Sequence, residues 1–304
     1  MKTIGSLVKR NVLLYIRDRS AVFFSLLSMI IVIGLMVVFL GNMNSDNIID
    51  VLNEYGGIRD TVADRANAVY LVEMWTLAGI LVVNAVTVTL MMLGFMVKDE
   101  EERKLASFYV APVSRFKVML GYIIAAMLVG MIMCILTLGV GGLYIGLTSG
   151  EFLSALEVCK VISLIILNVF VAACSMFLVA LFVHSMSAWN GINTIIGTLI
   201  GFVGAIYLPM GMLPEGVQNV LKCFPVLHGT TMMREICTAK AIEKTFEGFP
   251  VEVVAGVKKA MGITIEMGNH QVGAWWQVAF LLGCGIITII ISVLIFRKYK
   301  MYEE

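Results

Sequence analysis

The sequence predicts an all-α, polytopic membrane protein with six transmembrane helices, and three observations carry that prediction. Six stretches of 23 or more residues between Ser20 and Phe296 hold no Asp, Glu, Lys or Arg. About 20 apolar residues, at ~1.5 Å each, suffice to cross a hydrocarbon core of ~30 Å. Hydrophobic residues make up 60% of the 304 positions and charged ones 14%, against about 45–50% and 25% in soluble domains, so a water-soluble globule could not hide the apolar surface. Lysines and arginines are also more numerous in the segments on one side of the six runs than on the other.

The elements follow in order as one transmembrane domain over residues 1–304. In residues 1–19, Ile4, Leu7, Val8, Val12 and Tyr15 recur at helical spacing, with Lys2, Lys9, Arg10 and Arg17 opposite and Leu13 out of pattern. This fits an amphipathic helix lying in the cytoplasmic interface, and equally a basic flank that only sets orientation. The first span, near 20–44, follows basic residues as a secretory signal would. It is too long for a signal core and has no small-residue cleavage pattern, so it is expected to stay in the mature chain. Further spans are expected near 74–97, 118–148, 161–183, 190–212 and 272–296. The third run is overlong, and Gly139, Gly141 and Gly142 mark where it can bend. The fourth and fifth runs are parted only by His184, and as one helix they would measure roughly 80 Å. A tight reversal is therefore expected within His184 to Gly191.

Six spans place both termini on one side. The richer basic content of residues 1–19, 98–117 and 297–304 makes that side cytoplasmic by the positive-inside rule. A plasma-membrane location, in a bacterial cell, is expected.

Much chemistry is excluded. No phosphate loop, no Gly-x-Ser-x-Gly elbow and no His-Glu-x-x-His occurs, so the chain is expected to bind no nucleotide and catalyse nothing by itself. A net charge of +1 with scattered basic residues leaves no foothold for nucleic acid. Cys134, Cys174 and Cys284 fall within spans. A bridge between Cys223 and Cys237 is left open. His184, His228 and His270 lack ligand spacing, and no metal is predicted. Apart from His184, no ionisable side chain falls inside a predicted span, which argues against an ion-coupled secondary carrier. An intramembrane enzyme would need paired ionisable groups at depth. A non-transporting sensor, with its outer loop of about 60 residues, would need an output domain.

Residues 98–117 form the most informative polar segment. An acidic and basic cluster from Lys98 to Lys104 leads into Leu105, Phe108 and Tyr109, and Pro112 stops the pattern. The acidic residues favour a helix start and the proline a helix end. The segment reads as a short exposed helix suited to a partner's groove, or as a solvated loop dipping into headgroups. After the fifth span, Pro209, Pro214, Pro225 and Pro250 disfavour a continuous helix. Short re-entrant helices capping the outer end of a path are expected over 213–271.

The run Glu101, Leu105, Pro112-Val113-Ser114-Arg115 and Leu120-Gly121 resembles the first cytoplasmic loop of type-2 ATP-binding-cassette exporter permeases. The likeness extends to Tyr207 through Pro214, Leu221 through Val226 and Met233-Arg234-Glu235, and covers nearly the whole chain. It departs where the family's Gly-Thr is Arg103-Lys104 here. The resemblance implies a membrane subunit that pairs with a second permease subunit, identical or paralogous. It further implies an ATPase subunit carrying ATP and Mg, gripped through Glu101, Glu102, Arg103, Leu105, Phe108, Tyr109, Pro112 and Arg115. Pro209, Pro214 and Pro225 would form the outer gate. Nearly charge-free spans imply a hydrophobic or amphipathic cargo such as a drug, peptide or lipid. Asn84, Thr87 and Asn168 are candidate path residues, although polar groups in spans more often join helices. The small-residue steps Gly142/Gly146 and Gly197/Gly201 allow close helix approach within or between subunits.

Overall fold

The computed structural model describes residues 2–35, 41–55, 60–105, 113–268 and 270–298, and they are almost wholly helical. In chain order the helices are α1 (Lys2–Arg17), α2 (Arg19–Leu35), α3 (Gly41–Tyr55), α4 (Thr61–Glu101), α5 (Arg115–Ser149), α6 (Ala155–Ala180) and α7 (Met186–Val203). A 3-10 turn (Met210–Met212), α8 (Glu215–Leu221), α9 (Pro225–Cys237), α10 (Ala239–Thr245) and α11 (Val251–Ala260) come next. An antiparallel ribbon of β1 (Glu266–Met267) and β2 (His270–Gln271) leads into α12 (Ala274–Lys298). Among the described residues, α4, α5, α6 and α12 are long and apolar enough to cross a membrane.

Local chemistry explains the boundaries. Asp60 caps α4 by accepting from the Val62 and Ala63 amides, at 3.0 and 3.3 Å. Ser154 and Glu157 form a reciprocal capping box at the start of α6. Pro225 is the first residue of α9, and Pro209, Pro214 and Pro250 stand immediately before the 3-10 turn, α8 and α11. Each proline lacks the N–H that a helix start leaves unused, so the prolines that interrupt one long helix also begin the short ones.

Several expected limits shift. The second span was placed at 74–97, but α4 starts at Thr61 and its 41 residues make a rod of about 60 Å. It therefore projects beyond a ~30 Å hydrocarbon core, and its outer turns are covered by α3 and α10. The reversal expected at His184 to Gly191 falls at residues 181–185, because the Ser185 hydroxyl accepts from the Ala188 amide and starts α7 early. The fifth span, placed at 190–212, stops at Val203. Ala205 then adopts φ 50°, a left-handed turn that turns the chain off the helix axis. The first span, expected near 20–44, covers α2, residues 36–40, which lie outside the described residues, and the first turn of α3.

Helix α4 runs through the middle of the bundle, against α5, α6, α7 and α9, with Trp75, Leu77, Leu81 and Leu93 all 1% exposed or less. Lipid tails are as apolar as leucine, so close van der Waals approach holds such helices together. The glycines that permit it are not the expected pairs. Gly142 and Gly197 face open space, and Gly146 and Gly201 abut the rings of Phe152 and Tyr207. Instead, a Cβ at Gly121 would lie 2.8 Å from Leu7 Cβ of α1, and one at Gly229 of α9 would lie 1.9 Å from Asn168 Oδ1 of α6. The cysteines Cys223 and Cys237 are both free, so the bridge left open by the sequence does not form.

Candidate functional site

The two ends of the bundle carry different chemistry. At one end α1, the last turn of α4, the first turns of α5 and the 181–185 reversal meet. Helix α1 buries Leu7, Asn11 and Tyr15, an i, i+4, i+8 stripe that includes one polar residue, and packs on α5. Arg10, expected to face headgroups, reaches inward: its Nη1 lies 2.7 Å from Asp99 Oδ2. The Tyr122 hydroxyl donates to the same oxygen at 2.5 Å, and Arg10 also donates to Tyr122 Oη at 3.3 Å. Asp99 is 3% exposed, so its charge depends on these two partners. Burial, the largest single influence, tends to lower the Arg10 pKa, but the bonds to Asp99 and Tyr122 and their charges together outweigh it, and the net shift is upward.

The acidic run around Asp99 was expected to begin a helix; it ends one. Asp99, Glu100 and Glu101 occupy the last turn of α4, and their carboxylates serve other elements. Glu100 Oε1 lies 2.7 Å from His184 Nδ1, and Glu101 Oε1 accepts from the Met186 amide at 3.3 Å. A carboxylate beside the first amides of α7 sits at the positive end of that helix. The cluster thus ties the start of α7 to the last turn of α4. Glu102 ends α4 and pairs with Lys104.

Arg103 stands where the resembled family carries glycine, and its φ is 58°, the left-handed region that costs a non-glycine residue about 1–2 kcal/mol. Arg103→Gly is therefore expected to raise stability by about 1 kcal/mol, measured by chemical unfolding in detergent. A neutral or negative change would show that the arginine side chain offsets the strain. Leu105, expected on an exposed face, is 5% exposed and joins the core formed by Leu7, Val97, Val118 and Tyr122. Arg115 is half-buried at the first position of α5. Phe108, Tyr109 and Pro112 lie outside the described residues.

Midway along the bundle an apolar cavity of about 420 Å³ opens between α4, α6, α7, α9 and α12. Val86, Ala172, Met176, Ile196, Ile200 and Val226 are among its lining, and Asn168 is a polar member. Of the three candidate path residues only Asn168 lines this cavity, and its amide donates to the Leu164 carbonyl at 2.9 Å. Asn84 donates to Thr137 Oγ1 of α5 at 2.8 Å, and Thr87 donates to its own helix at Val83 O. Pro225 reaches the cavity at its α9 wall, whereas Pro209 lines a smaller apolar recess with Trp75 and Met261.

The opposite end is closed by α8 to α11 around Arg234, which the sequence named only within a family likeness and with no role. Arg234 on α9 is 0% exposed. Its Nη2 donates to Ala205 O at 2.8 Å, its Nη1 to Met261 O at 3.3 Å, and its guanidinium stacks 3.9 Å from the Trp75 ring centre. Trp75 Nε1 donates to the same Met261 carbonyl at 2.7 Å. Burial pulls the Arg234 pKa down to about 9, so the group stays charged at neutral pH. One side chain thereby ties the break after α7 to the turn after α11 and to α4. Next to it His228 is buried between Lys222 O, at 2.9 Å from Nε2, and the ring of Phe280, and burial lowers its pKa. At the rim Glu151, held by Lys240 and Lys244, drops to about 2. The sequence signal for Arg234 was its place in the Met233-Arg234-Glu235 likeness, since its helix also carries His228, Thr230, Thr231 and Glu235.

Among the described residues no group of three or more His, Cys, Asp or Glu side chains is arranged to hold a metal ion. A family model described as ABC-2 family transporter protein matches residues 64–294, which span α4 through most of α12. No curated protein matches the chain.

Proposed function

The chain belongs to the ABC-2 family of transporter proteins and is a multi-pass membrane protein, and from that premise we propose that it is the permease subunit of an ATP-driven exporter. In this reading α2 and α7 join the four long helices as six spans, with both termini in the cytoplasm of a bacterial cell. The partner ATPase carries ATP and Mg, and the permease works as a pair, with an identical or paralogous second copy. The observation that supports this reading best is the joining of four elements at one end of the bundle. Arg10, Asp99 and Tyr122 lock α1 to α4 and α5, while Glu100 and Glu101 hold the start of α7. A push on residues 101–115 would then reach α1, α4, α5 and α7 together, and α4 and α7 wall the apolar cavity.

The cavity accepts a hydrophobic or amphipathic cargo. Its lining offers no counter-ion for a strongly charged solute. The permease reads as non-catalytic, with hydrolysis confined to the ATPase.

The test is co-reconstitution with the ATPase in vesicles, read by cargo-stimulated ATP hydrolysis. Ala172→Trp is expected to fill the cavity and abolish stimulation while insertion and ATPase binding persist. Arg115→Glu and Phe108→Asp are expected to weaken ATPase association by about tenfold, the loss of one contact worth ~1.4 kcal/mol. Normal association in both would count against the docking role, and uphill transport by the chain alone would end the reading.

A further inference from the structure

At the end of the bundle away from Arg10 and Asp99, a second recess of about 680 Å³ lies between α4, the end of α5 and α10. Glu73 of α4 lines it, with Tyr70 one turn earlier and Thr148, Ser149 and Glu151 across. Glu73 is only 6% exposed, yet no described residue gives its carboxylate a hydrogen bond or an ion pair. The nearest cations are engaged elsewhere. Lys244 is bonded to Glu151, and Arg65 faces Asp46 at 3.9 Å. A carboxylate withdrawn from water without a partner is unfavourable, and at a membrane edge such a group marks a functional site by default.

The depth of the recess narrows the occupant. Glu73 immediately precedes the charge-free run that starts at Met74, and Thr148 and Ser149 close the apolar run of α5. On the outside of that last turn Leu143 and Leu147 are 56% and 73% exposed, as lipid-facing residues are. Both helices therefore pass from hydrocarbon to headgroups at this level, where a recess of this size suits a small polar head. A primary ammonium supplies three N–H donors and one positive charge, which is what Glu73 lacks. Arg65 and Lys244 at the rim suit the phosphate that a lipid ammonium carries beside it.

We propose that this recess binds a phosphoethanolamine group, ammonium on Glu73 and phosphate toward Arg65 and Lys244, supplied by a phosphatidylethanolamine headgroup of the adjacent leaflet. The free zwitterion would offer the same chemistry, and the experiment separates the two.

The full-length chain is unfolded by heat in nanodiscs of phosphatidylglycerol alone, and in equal mixtures with phosphatidylethanolamine or phosphatidylcholine. Ethanolamine lipid is expected to raise the midpoint by about 3 °C. Choline lipid, whose quaternary nitrogen donates no hydrogen bond, is expected to leave it unchanged. Glu73→Gln is expected to erase the rise, and Glu252→Gln, exposed elsewhere at this end, to keep it. In detergent, O-phosphoethanolamine is added alone: a rise there without one in nanodiscs would assign the site to the free zwitterion. Equal rises with choline and ethanolamine lipids, a rise undiminished in Glu73→Gln, or no rise from either amine source would overturn the proposal. The choline comparison stands on the wild-type chain, so it decides even if Glu73→Gln fails to fold.

Discussion

Arg234→Ala is expected to destabilise the chain by about 4 kcal/mol, the largest single effect in the molecule. The change leaves the Ala205 carbonyl without its guanidinium donor, at about 1–3 kcal/mol, while the Met261 carbonyl keeps the Trp75 N–H. It also opens a cavity in a close-packed region, at a similar cost. Against these stands one gain, since a buried charge no longer has to be held in a dry site. The orphaned acceptor, the lost stacking on Trp75 and the void outweigh it. Arg234→Lys separates the contributions: an ammonium lacks the planar fork that reaches two carbonyls while stacking on Trp75. It is expected to lose about 2 kcal/mol. Chemical unfolding in detergent measures both, and a loss below 1 kcal/mol for Arg234→Ala would show that the outer cap stands without its hub.

The second large effect is expected at the other end. Arg10→Ala removes the ion-pair partner of Asp99 and leaves a carboxylate that is 3% exposed with only the Tyr122 hydroxyl. Breaking a buried pair this way costs about 3–5 kcal/mol, and the lower figure applies because the Arg10 side chain is 31% exposed. Replacing both partners by apolar residues, Arg10→Met with Asp99→Leu, is expected to recover most of that loss, because no unpaired charge remains. A double-mutant cycle on unfolding free energy reads the coupling. Additive single losses would show that the pair contributes nothing jointly. In the reconstituted complex the double variant is expected to remain folded but transmit ATP hydrolysis poorly to cargo movement, since α1 would no longer be keyed to α4.

The spans were legible because crossing a bilayer is a property of one segment at a time. A charge-free run of sufficient length declares itself whatever its neighbours are, and α4, α5, α6 and α12 follow the runs closely. The helix starts at Pro225, Pro214 and Pro250 were legible for the same reason, since a proline restricts its own backbone. The boundaries that moved did so where a neighbour intervened. Glu73 ended the predicted span, but α3 and α10 cover the stretch from Thr61 to Val72 and the helix continues through it. Leu105 looked like an exposed contact because its local sequence is charged, and α1 buries it.

By itself the sequence determined that this chain lives in a bilayer, roughly where it crosses, and which prolines break its outer segment, because these depend on hydrophobic length and local backbone geometry. Only the tertiary structure decided that Arg10 serves Tyr122, 112 residues away. It alone decided that Arg234 is fully enclosed and that Glu73 has no hydrogen-bond or ion-pair partner among the described residues. A charged side chain's role is set by which groups surround it once water is excluded, and those groups come from distant parts of the chain that no local pattern records.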